Sequence, residues 1–354
     1  MLIFIFLILY TAPIFFYSNN LTSEIYYFIA IYITILLLFF TIRFKKRVFK
    51  VKQGTISVKR FYTLSLIVIL CYFIIFFLTK ENYIEPFNRS TRDSLFLQGN
   101  TYVIVDIVIK SIFCKLIYNC FYKKSSCRFQ KYFLIILILF AIIFDNVYLG
   151  ARRTSIFIII SFIWAVIPYI QTKKYLLLLL LLIILGVFNF LISGYRELVY
   201  AGVNDYNLNQ VFASSMVSNE YQLVSDNFLR YKEYAYINGY GFGISVFSFP
   251  LTFIPRFIWS GKPLTIDKST DIFPNLVGEL YYNFGFFSII FLVIYIAFIL
   301  FGLKNNSILS MVLFALIPEF FRTAFSTYLF TVILFIFFIK MISVKFQSSV
   351  KNKF

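Results

Sequence analysis

Apolar runs separated by short polar breaks fill most of the chain, at 2–17, 25–42, 61–78, 101–122, 132–148, 155–170, 175–192, 286–303, 307–320 and 327–342. About twenty apolar residues cross a bilayer as a helix, so each run predicts a membrane-spanning α-helix. The run 101–122 carries Asp106, Lys110 and Lys115 and is therefore expected to be sheltered inside the bundle. Asp106 and Lys110 lie four apart on one helical face and predict a local ion pair. The pattern changes once, over 193–285, which holds eight of the fifteen acidic residues. Within it, 205–236 is polar with scattered aromatic positions and predicts one or two amphipathic helices lying on the membrane. The stretch 241–259 is nearly all apolar, but Gly241, Gly243, Pro250 and Pro255 disfavour a regular helix, so a re-entrant or interfacial segment is expected. The alternative, an eleventh span, would invert every later segment.

The expected fold is thus all-α: one polytopic membrane domain over 1–354, about ten transmembrane helices, and a long outer loop at 193–285. Composition agrees. The 354 residues are 61% hydrophobic and 22% aromatic with only 14% charged, a surface that water would not solvate. The first run begins at Met1 without a basic leader, which suggests a retained helix.

The formal charge of +18 suggests nucleic acid at first sight, but its distribution points to membrane topology. With the N-terminus inside, the inner segments carry nineteen basic residues and no acidic ones, whereas the longer outer segments carry twelve basic residues. Both termini are then cytoplasmic, and runs such as FKKRVFKVK at 44–52 are topology signals and anionic-lipid contacts.

The charges at the outer ends of spans carry the candidate chemistry. Arg152 and Arg153 stand in GARRTSIF before the sixth span, Arg196 in SGYRE after the seventh, Arg256 beside Lys262 in FIPRFIWSGKP, and Arg322 in PEFFRTAFS before the last. A lone arginine at a helix end usually snorkels to headgroups. Several on one face of a chain so poor in charge suit a diphosphate, because the planar guanidinium forks onto phosphate oxygens. Among the carboxylates, Glu279 in NLVGELYYNFG is the leading candidate for a general base, ahead of Glu319, Glu197 and Asp145; each could instead pair with an arginine. The loop tyrosines, among them Tyr195, Tyr231, Tyr236, Tyr240, Tyr281 and Tyr282, could stack on sugars or anchor at the interface. The chain has no histidine, no nucleotide-binding signature and no zinc spacing among Cys71, Cys114, Cys120 and Cys127, so metal-independent chemistry without a cofactor is expected.

One long outer loop, an IPRFIWSGKP segment within it, and GELYYNFG leading into a span resemble the Wzy-type O-antigen polymerases, the oligosaccharide repeat-unit polymerase family; GARR and SGYRE resemble the same pattern. The resemblance implies a GT-C-type membrane glycosyltransferase that joins repeat units carried on undecaprenyl diphosphate at the outer face of a bacterial cytoplasmic (inner) membrane. It implies undecaprenyl-diphosphate-linked oligosaccharides and membrane lipids as partners, with a chain-length regulator as a further one and no nucleic acid. Arg152, Arg196, Arg256, Lys262 and Arg322 would hold the diphosphates. Related ligases are thought to use a histidine base, which this chain lacks, so Glu279 would serve or electrostatics would suffice. Two alternatives stand beside this. An O-antigen ligase shares the architecture but transfers finished glycan to a second lipid. A transporter or flippase of lipid-linked sugars should place its charges mid-membrane, where this chain has only Asp106, Lys110 and Lys115, and should show two related halves.

Overall fold

The computed structural model describes residues 57–83, 101–122, 127–149, 153–166, 276–288, 308–316 and 325–343, together with most of 191–247 and residues 290, 291 and 294. Among these the chain is entirely helical, with no strand. The expected spans 2–17 and 25–42, and all but the last residues of 175–192, lie outside the described residues.

Helix α1 (Val58–Thr79) opens on Ser57, whose hydroxyl accepts from the Arg60 amide at 3.3 Å. Its buried positions, Phe61, Leu64, Ser65, Val68, Tyr72, Ile75 and Thr79, recur every three or four residues and form one stripe. The rest of its surface presents large exposed apolar side chains, Leu66, Phe73, Ile74 and Phe77 among them. A helix packed along one stripe and greasy all round fits a hydrocarbon solvent better than water. Helix α2 (Thr101–Ile117) runs on as a π-helical turn, Tyr118–Tyr122. Helix α3 (Arg128–Ile143) likewise ends in a π-helical turn, Phe144–Tyr148. The stretches Val58–Thr79 and Arg128–Tyr148 are the two described helices long and apolar enough to cross a membrane; α4 (Arg153–Val166) is a shorter apolar helix.

Side-chain pairs fix how these helices run. Tyr62 packs its ring on Phe133 near the starts of α1 and α3, and Thr79 donates to the Tyr148 hydroxyl at 3.1 Å where both end, so the two are parallel. Thr154 meets Asp106 near the starts of α4 and α2, and Trp164 packs on Tyr122 near their ends, so these are parallel to each other. Asn146 at the end of α3 donates to Ser155 in the first turn of α4 at 2.9 Å, which makes the second pair antiparallel to the first.

Helix α2 is the axis of the bundle. From Ile109 to Cys114 every residue is buried, as are Leu116 through Cys120, and α1, α4 and the last helix pack around it. The sheltered position expected for 101–122 is therefore observed.

The loop region contributes α5 (Leu208–Val217), α6 (Glu220–Asn238), the single turn α7 (Ile244–Phe247) and α8 (Leu276–Phe284). Of the one or two helices expected over 205–236, two are present, α5 and α6. Asn207 and Gln210 cap α5 reciprocally, each side chain accepting from the other's amide at 2.8–2.9 Å. Gly239, with φ +81°, ends α6 in the left-handed conformation that glycine adopts without steric penalty. Two further helices, α9 (Ile308–Ala315) and α10 (Phe325–Ser343), complete the description. Helix α9 packs on α4 and α10, while α7 and α8 pack on α10. The Arg60 guanidinium donates to the Ile342 carbonyl, which sets the end of α10 beside the start of α1.

Candidate functional site

Two polar clusters stand among the described residues. The first lies at the end of the bundle where α1 and α3 finish and α2 and α4 begin. Lys110, only 6% exposed, donates to Asp106 Oδ2 at 2.5 Å, the ion pair expected from the spacing. Asp106 Oδ1 accepts from the Thr154 hydroxyl, also at 2.5 Å, so the pair bridges α2 to the first turn of α4. The Lys110 ammonium also lies 5.7 Å from the centre of the Phe157 ring.

Asp145 joins from α3. The π-helical turn Phe144–Tyr148 adds a residue to the helical repeat, and here it coincides with Asp145 being buried while its neighbour Asn146 reaches α4. The Tyr72 hydroxyl donates to Asp145 Oδ2 at 3.2 Å, and the Ser155 hydroxyl lies close by. Asn146 Nδ2 donates to the Ser155 hydroxyl at 2.9 Å and to the Ile142 carbonyl at 2.8 Å. Two carboxylates and one ammonium therefore sit with the hydroxyls of Tyr72, Thr154 and Ser155 in a cluster drawn from four helices. An arginine partner for Asp145 was an alternative from sequence; hydroxyls take that place instead. One turn deeper, Cys114 Sγ and Ser161 Oγ approach to 3.5 Å between α2 and α4.

The second cluster surrounds α8. Glu279 is 1% exposed, on a helix wedged among α6, α7 and α10. One turn on, Asn283 Nδ2 donates to Ser245 Oγ at 2.6 Å and to the Glu279 carbonyl at 2.7 Å, which ties α8 to α7. Asn283 Oδ1 is buried with no hydrogen-bond partner. Close backbone approach allows this packing. A Cβ on Gly278 would lie 2.3 Å from the Tyr231 ring, and one on Gly241 2.4 Å from that of Tyr282. The Gly241 amide donates to the Tyr282 carbonyl at 3.0 Å, clamping the turn after α6 onto α8.

Aromatic rings edge this cluster. Tyr240 and Tyr281 meet edge-on at 6.4 Å, as do Phe228 and Tyr281 at 5.5 Å, while Tyr234 and Tyr282 are tilted at 5.5 Å. Burial, then the neighbouring Tyr240, pushes the Tyr281 phenol up; burial, then Tyr234, does the same to Tyr282. Tyr231, expected among the surface tyrosines, is instead fully buried and is removed as a platform for a sugar. Tyr236 and Tyr240 remain exposed.

Of the residues expected to act, Glu279 is placed, in the second cluster. Arg152, Arg196, Arg256, Lys262 and Arg322 lie outside the described residues, as does Glu319. Arg153, beside Arg152, begins α4 next to Thr154 and so stands at the first cluster's end of the bundle. Sequence reasoning missed Tyr72, Thr154 and Ser155; a polar residue on an otherwise apolar span was the available signal. Among the described residues no group of three or more cysteines or carboxylates could hold a metal ion, and the four cysteines are free thiols. No protein-family model, curated protein or solved structure matches the chain.

Proposed function

We propose that the chain is a ten-helix, GT-C-type membrane glycosyltransferase that polymerises polysaccharide repeat units at the outer face of a bacterial cytoplasmic membrane, with both termini inside. The donor is an oligosaccharide on undecaprenyl diphosphate and the acceptor a second lipid-linked unit. A hydroxyl of the acceptor sugar attacks the donor's anomeric carbon. The bond from that carbon to the diphosphate oxygen breaks, the polyprenyl diphosphate departs, and the hydroxyl proton passes to the Glu279 carboxylate. Arg152, Arg196, Arg256, Lys262 and Arg322 would grip the diphosphates and offset the charge that builds on the leaving group. No cofactor or metal is called for, because the donor bond is already activated.

One observation carries this reading. Helices α2, α4 and α10 all begin at the end of the bundle where α1 and α3 finish. The starts of α4 and α10, which the sequence motifs GARR and PEFFR precede, therefore lie at one end of the bundle. That is the arrangement a shared diphosphate site needs. The test is Arg256→Ala in the producing cell. Loss of polymer with single repeat units still formed on the lipid is expected; polymer of ordinary length at ordinary protein level would remove Arg256 from the mechanism.

A further inference from the structure

The turn between α6 and α7 presents its apolar side chains outward. Phe242 is 82% exposed, Tyr236 91% and Ile244 74%, with Ile237 and Tyr240 beside them. The display is imposed by the backbone. Phe242 holds φ at +46°, a region a bulky L-residue seldom enters, between Gly241 and Gly243, which are both buried. The Gly241 amide is bonded to α8, and a Cβ there would strike Tyr282, so the turn cannot relax by rolling the phenyl ring inward. Strain held in order to expose a large apolar ring brings the folded chain nothing by itself.

Two observations identify what the ring meets. No lysine, arginine, aspartate or glutamate occurs between Glu233 and Arg256, so the surface offers no charge to a polar partner. The Tyr240 ring lies against Gly285, 3.0–3.3 Å from where a Cβ would stand, and Gly285 opens the apolar run that continues through exposed Phe287, Ile290 and Ile294. The turn is thus level with the point where a greasy segment enters the bilayer. Aromatic and branched apolar side chains with no charge suit the boundary between headgroups and acyl chains.

We propose that the turn Tyr236–Ile244 is a lipid-inserting wedge, which seats the α6–α8 unit on the bilayer surface with Phe242 and Ile244 dipping into the acyl boundary. The proposal needs the membrane part of the function above and none of its chemistry. The full chain is reconstituted in vesicles of phosphatidylcholine brominated on the acyl chain close to the headgroup. Phe242→Trp is made in a W164F/W259F background, with Phe73→Trp on the exposed face of α1 as reference. Strong bromine quenching and little iodide quenching of the F242W emission are expected. Iodide quenching without bromine quenching overturns the wedge, and so does the absence of both. If F73W is also unquenched by bromine, the bilayer reading of α1 fails as well; if F73W is quenched and F242W is not, the wedge alone fails. Should the tryptophan-free background not fold, p-benzoylphenylalanine at position 242 in the otherwise unaltered chain gives the same decision. A lipid adduct on irradiation supports the wedge, and a protein adduct or none overturns it.

Discussion

Lys110 and Asp106 are interdependent in a way that single substitutions expose. Lys110→Met would leave Asp106 with the Thr154 hydroxyl but no countercharge, in a setting where removing one member of a buried pair costs about 3–5 kcal/mol. The double variant D106N/K110M should recover much of that loss, because it removes both charges together. Thermal unfolding in detergent measures both, and equal destabilisation by the single and double variants would deny the coupling. The pair itself was legible, since a spacing of four on one helix dictates it. Tyr72, Thr154 and Ser155 were not, because they come from other helices whose rotation about their own axes the sequence does not state. Tyr281 and Tyr282 give a pH-dependent counterpart. Their phenols are raised above the ordinary value of 10.0, so the folded chain holds these protons more tightly than the unfolded one. Stability is then unaffected below about pH 10 and falls as pH rises through the folded values, where unfolding is favoured by proton release. Tyr281→Phe should reduce the alkaline loss, read by unfolding across that range, while the phenolate absorbance of wild type should appear late.

Among the helices of the loop region, close approach matters more than helix preference. Gly278 lets α8 lie on the face of Tyr231, and Gly194 lets its segment rest on Ser215 and the Val211 carbonyl, where a Cβ would come within 2.1 Å. Alanine at either site overfills a packed contact and should cost about 1–3 kcal/mol. Gly202, with φ +73° and nothing within 4 Å, offers the contrast. There alanine meets only the left-handed backbone penalty of about 1–2 kcal/mol, and the α6–α8 contacts should survive. Protection of the α8 amides from hydrogen exchange separates the cases: G278A should expose α8, and G202A should leave it protected. The sequence did announce helix over 205–236, one or two segments of it, through a polar stretch with scattered aromatic positions. It could not announce that Tyr231 would be buried, since the same tyrosine spacing serves a surface anchor or a core ring. The choice is made by Gly278, far along the chain.

At the scale of the whole molecule, charge sorts between the two ends of the bundle. Lys59, Arg60, Arg128, Lys131 and Lys340 belong to the end where α1 and α3 start and α10 finishes. Asp106, Asp145 and Glu81 belong to the other, with Lys80 and Arg153. The first set falls in segments that the count of lysines and arginines assigns to the inside. Their side was legible because the rule depends on composition near helix ends, not on how helices pack. The meeting of the GARR and PEFFR helices at one end follows from the alternation of spans, whereas the distances among their arginines depend on packing that no spacing encodes. The separation also commits the orientation to a test. Cys127, exposed before α3, should be unreactive toward a membrane-impermeant maleimide in intact cells and reactive once the membrane is opened. Lys80→Cys in a C127S background, at the exposed end of α1, should react from outside. Because α1 and α3 run parallel, reaction of both from one side contradicts the bundle itself. Reaction of Cys127 alone from outside leaves the bundle intact but turns it over, and with it the face on which lipid-linked sugars would have to arrive.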